Sequence, residues 1–404
     1  MQARPADAVD CRASEPTVRG EALAVLGDCL GLHFGSRHLT ATRLRLYAKP
    51  SLWSALVDLA FETGLLPAVE SAISRSGLLP ASGLKSGAAD LAGAFARVRS
   101  DHLAKREGMR ARLLEIVDNL GRHGIETVPI KGAANLWTGT PEWRSMRDLD
   151  ILVPPHLAEA AQGLLVAAGY RPAADGERRP HHLETMTRDD LPGWIELHVS
   201  ASNRRGERLL PTSSILRHTA ATAESQGRVR LPHPAVHALH GLVHHHFSNR
   251  GAAYGVIPLK GLFEFAHGYA ALDDGGVHLL RRLASSHARL SAAVDLWVAA
   301  AAGLFRIDDD RRFPAMPDAS SRWATIHARM RGDEPCGFVD ALGEDLRMSL
   351  TRSRLGAAVA AGAHRSKAAA ALHALRTFLD EAPSTPRRRA GARQRAAGFI
   401  VQRT

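Results

Sequence analysis

Two carboxylates one residue apart, Asp148 and Asp150, sit in a run with the alternation of a β-strand, Asp-Leu-Asp-Ile-Leu-Val, ending at Val153. Side chains alternate across a strand, so both acids project from one face while Leu149, Ile151 and Val153 fill the other. Carboxylates that close repel unless something positive lies between them. A divalent cation is the natural counter-charge, and hard oxygen ligands favour magnesium or manganese. A third acid, Glu196, occupies another strand-like run, Gly193 to Val199, between Ile195 and Leu197. An acid in a buried strand is expensive to leave alone, and a metal shared with Asp148 and Asp150 would give it a partner. Asp-x-Asp alone also describes two solvated acids at a strand end; the elements around it raise the metal reading.

Those elements begin with a short β-type run, Glu126 to Lys131, followed by Gly132-Ala-Ala-Asn-Leu-Trp137, which reads as a helix start. Free N–H groups at a helix start attract phosphate oxygens, and a glycine there permits close approach. Lys131 could add a point charge and Arg144 or Arg147 a bidentate fork; Lys131 reads equally as a turn lysine, and Arg147 more naturally as structural. A helix over Leu157–Ala168 ends at Gly169, and a looser β region, His181–Thr187, precedes the Glu196 strand. Upstream, apolar spacing predicts several short helices from Glu21 to Arg75 and a long one from Ala88 to Arg122, ended by Gly121 and Gly124. Beyond Pro234 the chain reads as helical almost to the end, including a helix over Ala357–Leu379. The pattern divides into a frayed end at 1–18, a helical region at 19–122, an α/β core at 123–230, a helical region at 231–382 and a basic tail at 383–404.

The stretch Val-Pro-Ile-Lys131-Gly132-Ala-Ala-Asn-Leu-Trp, then Arg144-Ser-Met-Arg-Asp148-Leu-Asp150-Ile-Leu-Val, Gly169-Tyr170 and Ile-Glu196-Leu-His198 resembles the uncharacterised bacterial nucleotidyltransferase family, within the DNA polymerase β-like superfamily. The likeness covers residues 125–200, with helical flanks of similar layout at 40–125 and 230–375. It implies an α/β (α+β) fold: a small mixed nucleotidyltransferase sheet flanked by N- and C-terminal helical regions. Asp148 and Asp150 match the paired metal-binding acids, and Glu196 the third acid, often Asp in the family. Gly132 matches the glycine at the triphosphate cradle, with Ala133 where the superfamily prefers serine or glycine. Lys131 and Arg144 match basic positions, and Lys260 is implied as a phosphate contact from a helix beside the core. The implied reaction moves a nucleotidyl group from an NTP, ATP by default, to a hydroxyl or phosphate, releasing pyrophosphate with magnesium or manganese as cofactor. The acceptor is not written in the sequence; the resemblance suggests a peptide natural product or a saccharide, with a small antibiotic or a protein side chain left open. A protein of the same fold that holds nucleotide without turnover is the rival reading.

Histidines supply a further alternative. His237, His240 and His244 share a helix face at i, i+3 and i+7, and three such residues can ligate zinc, as in a hydrolase; no Glu stands between them as in the HExxH motif. His181 and His182 lie near the core and could meet substrate; His198 shares the strand face of Glu196 and reads as an orienting or sheet-end residue. Lys260 and Glu264, at i and i+4, read as a surface pair. Cys11, Cys29 and Cys336 form neither a metal motif nor a disulfide framework. With no secretory segment and no apolar run of membrane-spanning length, the expectation is a cytoplasmic protein without a membrane span. The net charge of +11 is partly in the tail, where Arg387, Arg388, Arg389, Arg393 and Arg395 cluster. No stacking aromatics interleave those charges, which argues against a nucleic-acid partner.

Overall fold

The computed structural model describes residues 16–331 and 350–373, apart from 50, 79–86, 140, 175–177, 190–192, 226–227, 250, 255, 310–312, 315 and 351. The basic tail and Cys11 and Cys336 lie outside the described residues. The N-terminal helices are α1 (Pro16–Gly31), α2 (Leu39–Ala48), α3 (Ser51–Glu62), α4 (Leu66–Ser76) and α5 (Gly87–Arg122). The sheet region follows as β1 (Val128–Pro129), α6 (Lys131–Thr138), β2 (Asp148–Leu152), α7 (Ala158–Ala167), β3 (Arg171–Pro172), β4 (Met186–Thr187), β5 (Trp194–His198), α8 (Arg204–Leu209), α9 (Thr212–Arg217), β6 (Thr219–Ala221) and β7 (Arg230–Pro232). Then come α10 (Pro234–Val243), α11 (Gly251–Tyr254), α12 (Leu259–Ala270), α13 (Asp274–Ser285), α14 (Ala288–Phe305), α15 (Pro317–Arg331) and α16 (Arg352–Ala360). The fold is the expected mixed one, a small sheet with flanking helices.

Five strands form the central sheet in the order β1-β2-β5-β4-β3. The β2–β5 pair is parallel and the others are antiparallel. Period-two alternation splits this sheet into an apolar and a polar face. Leu149, Ile151 and Val153 from β2 and its end, with Ile195 and Leu197 from β5, pack against α5 and α7. The α5 contribution is a helical stripe, Met109, Leu113, Ile116 and Leu120. The opposite face carries Asp148, Asp150, Glu196 and His198.

The two helical regions share one apolar core. Leu26 and Leu30 of α1 bury with Leu304 and Phe305 of α14 and with α10 and α12 side chains such as Leu239 and Phe263. Gly27 and Gly31 allow this, because a Cβ at either would collide with the backbone carbonyl of Leu304 or Phe305. Helix α14 is long and apolar enough to cross a membrane, but 83% of it is buried inside the protein. Its apolar surface on all sides is that of a core helix.

Several elements depart from the periodicity reading. The β run expected over Glu126–Lys131 contracts to Val128–Pro129, because Lys131 turns into the left-handed region at φ 49° and α6 starts there. Helix α1 begins at Pro16, inside the stretch read as frayed; proline suits a first helical turn. The helix expected over Ala357–Leu379 is interrupted: α16 ends at Ala360, Gly362 takes φ 73°, and a second helix occupies 367–373. The short β3 and the β6–β7 pair had no visible alternation, since two or three residues are too few to show a period.

The junction that sets the β2–β5 register is tight. Trp194 N–H donates to the Arg147 carbonyl at 2.9 Å, and the fully buried Arg112 donates to the Gly193 carbonyl at 2.8 Å and to that of Arg188 at 3.0 Å. Gly193 has φ 85°, and a Cβ there would stand 2.7 Å from the Arg147 carbonyl oxygen. Gly193→Ala therefore combines backbone strain with a clash. We expect it to cost roughly 2 kcal/mol or more, read as a lowered midpoint in thermal or urea unfolding; an unchanged midpoint would contradict this account of the junction.

Candidate active site

The parallel register places Asp148 opposite Trp194, Asp150 opposite Glu196 and Leu152 opposite His198. Asp150 and Glu196 are thus side by side on the polar face, with Asp148 two residues earlier on the same face. Asp150 is 2% exposed and Glu196 has 21% of its side chain open. Asp150, Glu196 and His198 offer ligand atoms within 4.8 Å of one another, one of two such metal-capable groups among the described residues. Asp148 is outside that tight group.

Two internal cations meet the acids. Lys131 Nζ donates to Asp150 Oδ1 at 2.6 Å. His198 Nδ1 lies 3.2 Å from the Ser200 carbonyl, which can only accept, while its Nε2 lies 2.8 Å from Asp150 Oδ1 and 3.4 Å from Glu196 Oε2. Both ring nitrogens therefore face acceptors, an arrangement satisfied by the imidazolium form. Burial and Lys131 oppose that charge, but the two carboxylates outweigh them and hold the His198 pKa above its ordinary value. Lys131 is likewise raised: burial works against it, and Asp150, Asp148 and Glu196 prevail. Asp150 and Glu196 are held below the usual carboxylate range, burial being overcome by Lys131 and His198 for the first and by His198 for the second. Among the described residues Asp148 has no such direct partner; burial and then the Asp150 charge push it up to about 6.

Lys131 owes its position to the strained residue that starts α6. The preceding Ile130 N–H donates to the Asp150 carbonyl at 3.0 Å, which ties the turn to β2. His237 Nε2 of α10 donates to the Lys131 carbonyl at 3.0 Å. Gly132, read as an opening for phosphate, has a different immediate neighbour: a Cβ there would collide with Arg144 Nη1. Arg144 lies over the start of α6 and donates to Glu264 Oε2 at 3.0 Å. Lys260 Nζ donates to the Ser145 carbonyl at 2.7 Å. The Lys260–Glu264 surface pair is thus corrected. Both residues are largely enclosed, and each reaches the loop leading into β2, which periodicity within one helix cannot reveal. Burial lowers Lys260, and Arg144 and Lys260 hold Glu264 ionised against its own burial. Arg147 is exposed at the rim, and its backbone carbonyl makes the register contact.

The polar sheet face, α6, α10 and α12 enclose a cleft of about 1550 Å³ lined by Asp148, Asp150, Glu196, Lys131, Gly132, Arg144 and Lys260. Arg179, His181, Asn203, His218, His233 and His245 also line it. Sequence reading singled out His181 and missed Arg179, Asn203 and His218, which lie in a loop or at helix ends and carry no pattern; Glu264 was visible only as half of an i, i+4 pair. His182 is buried, with Nε2 4.0 Å from Glu196 Oε2. The three-histidine zinc set expected on α10 does not assemble. His237 and His240 donate to separate carbonyls, those of Lys131 and Ala201, and His244 Nε2 accepts from Asn249 at 3.1 Å. Helix α10 passes into a π-turn at His244–Ser248, closed by Asn249 N–H to the His244 carbonyl at 2.9 Å, which changes the facing of the last histidines.

The uncharacterised nucleotidyltransferase family matches residues 49–302, more than half of the 404, from near the start of α3 to within α14. No curated protein and no solved structure matches the chain. With the acid cluster, α6 and the clamp from α12 all inside the matched span, the chain belongs to the uncharacterised nucleotidyltransferase family.

Proposed function

We propose that the protein transfers a nucleotidyl group from an NTP, ATP by default, to a hydroxyl or phosphate of a second substrate, with pyrophosphate leaving. The observation that carries this is the set of three acids on one sheet face at the floor of a cleft, beside a helix start and two cationic side chains. The donor set fits a divalent ion such as magnesium or manganese, because carboxylate oxygens dominate it and Asp148 and Asp150 lack room to be ionised together without a counter-charge. Asp148, Asp150 and Glu196 would hold the ion. When bound, it would offset their mutual repulsion and neutralise charge developing on the phosphates.

The remaining roles belong to the chain. Lys131 stands at the start of α6, where free N–H groups and the helix dipole favour phosphate oxygens, and its ammonium can turn from Asp150 to a phosphate. Arg144 and Lys260 add fixed positive charge over the same helix start, braced by Glu264 and the Ser145 carbonyl. Glu196, the more open of the paired acids, accepts the proton of an acceptor hydroxyl. The cleft exceeds the roughly 300–1,000 Å³ usual for one small ligand, which leaves room for a second substrate at the wall formed by Arg179, His181 and Asn203. A peptide or saccharide hydroxyl suits that polar wall. Most of the rate would come from positioning and charge stabilisation.

The direct test is magnesium-dependent pyrophosphate release from each of the four NTPs with peptide and saccharide acceptors. We expect Asp150→Asn and Glu196→Gln each to lower it by about 10²–10³-fold or more; Asp150→Asn also lowers stability, because Lys131 and His198 lose their shared counter-charge, so circular dichroism is used to verify that each variant is folded. Release that persists at the wild-type rate in both variants would rule the reading out. NTP binding without release across the panel would point to a protein that holds nucleotide without turnover.

The crowding of Asp148 gives a second prediction. Its carboxyl titrates near 6 in the fold against an ordinary 3.8. A raised carboxyl favours folding while protonated; that contribution is lost as pH rises toward and through 6, so ionised Asp148 costs stability above it. Lys131 and Arg144 only partly offset Asp150 and Glu196. In metal-free buffer above pH 7, Asp148→Asn should raise unfolding stability by roughly 1–2 kcal/mol. The gain should shrink as pH falls through 6 while nucleotidyl transfer is abolished. A variant less stable than wild type at every pH would contradict this account.

A further inference from the structure

A second metal-capable group lies away from the acid cluster. His287 occupies the position just before α14 without a capping hydrogen bond from its side chain, His364 lies in the bend after α16, and His373 ends the described part of the helix at 367–373. One ring nitrogen of each lies within 4.8 Å of the other two. The ring centroids are 4.9 Å apart for His287 and His373, 5.1 Å for His364 and His373, and 6.0 Å for His287 and His364. All three are partly buried. Among the described residues, Nδ1 of His287 and Nε2 of His364 are enclosed and meet no hydrogen-bond partner. An enclosed nitrogen left unsatisfied is costly, and among the described residues neither an acid nor a cysteine joins the group.

The geometry points to a zinc(II) site made by His287, His364 and His373, which fastens the helices at 352–360 and 367–373 to the start of α14. Neutral imidazole is a zinc ligand. Zinc bonds to imidazole nitrogen at about 2.0–2.1 Å in tetrahedral geometry, which needs nitrogens roughly 3.3 Å apart; small ring rotations from the observed spacing reach this. An all-imidazole set suits zinc and is a poor home for magnesium or calcium. The need for a fastener is visible in the packing. Among the described residues, the apolar cluster joining this segment to the body has Ala288, Leu355, Ala358 and Ala370 as its buried members. Arg354 adds an ion pair to Asp295 at 3.0 Å. Two of the three ligands lie beyond residue 302, outside the family match, so the site is independent of the nucleotidyl-transfer reading.

The test uses the full-length chain, stripped of metal by chelator and titrated with zinc alone in competition with a chromophoric chelator. We expect a zinc equivalent that survives Asp150→Asn and is lost in the His364→Ala/His373→Ala double variant. Zinc should also protect residues 352–373 from limited proteolysis in wild type and not in the double variant. Cobalt(II) in the wild-type chain should show visible absorption of tetrahedral intensity, a readout that needs no variant to fold. The proposal is overturned if the wild type binds no zinc equivalent. It is equally overturned if a folded double variant, checked by circular dichroism, binds zinc as wild type does, or if the equivalent disappears with Asp150→Asn instead.

Discussion

Three carboxylates on one face of two adjacent strands would drive those strands apart in a low-dielectric interior. The architecture around the cleft follows from how that charge is countered. Lys131 and His198 converge on a single oxygen of Asp150. For Lys131 to do so, the chain must leave β1, adopt a left-handed residue and enter α6 within a single peptide. That conformation costs an L-residue of order 1–3 kcal/mol and persists only where neighbours over-determine it. Two hydrogen bonds supply the constraint, Ile130 to β2 on one side and His237 of α10 to the Lys131 carbonyl on the other. The acidic face of the sheet is thereby bound to the C-terminal helices.

The same logic extends to the loop before β2. Arg144 and Lys260 bring positive charge to the wall of the cleft, and Glu264 sits where it can hold Arg144 in place. Removing one partner of a buried charged pair leaves an uncompensated charge and costs about 3–5 kcal/mol, so such a clamp resists displacement. It explains why the N- and C-terminal helices share one core. The wall that carries Lys260, Glu264 and His237 must be rigid with respect to the sheet, and α1 and α14, packed closely through Gly27 and Gly31, provide that backing.

Sequence alone carried the acid pair well, because a period of two forces Asp148 and Asp150 to one face whatever else the chain does. It also carried Glu196, since a lone acid between Ile195 and Leu197 demands a partner. It could not reveal that Asp150 and Glu196 would be register partners in a parallel pair, nor that His198 would hold both. Pairing register depends on the junction at Gly193 and Arg147, far from any local pattern. The family resemblance on the motif at 125–200 and the match over 49–302 agree on the chemistry class, while the clamp residues stayed hidden because an i, i+4 Lys–Glu pair looks the same exposed or buried.

The histidines show where spacing misleads. His237, His240 and His244 have the helical spacing of a ligand set, yet a helix face fixes only where side chains leave the backbone. Their ring nitrogens are claimed by whatever acceptors pack against that face, here the carbonyls of Lys131 and Ala201. A straight helix presents histidines to one neighbour, whereas a tetrahedral ion needs ligands arriving from different directions. His287, His364 and His373 meet that condition because they come from a helix cap, a bend and a second helix. The glycine turn at Gly362, which broke the expected long helix, is what brings His364 and His373 toward His287. The departure from periodicity and the histidine cluster are one structural fact, and a reading that kept the helix continuous could not have found it.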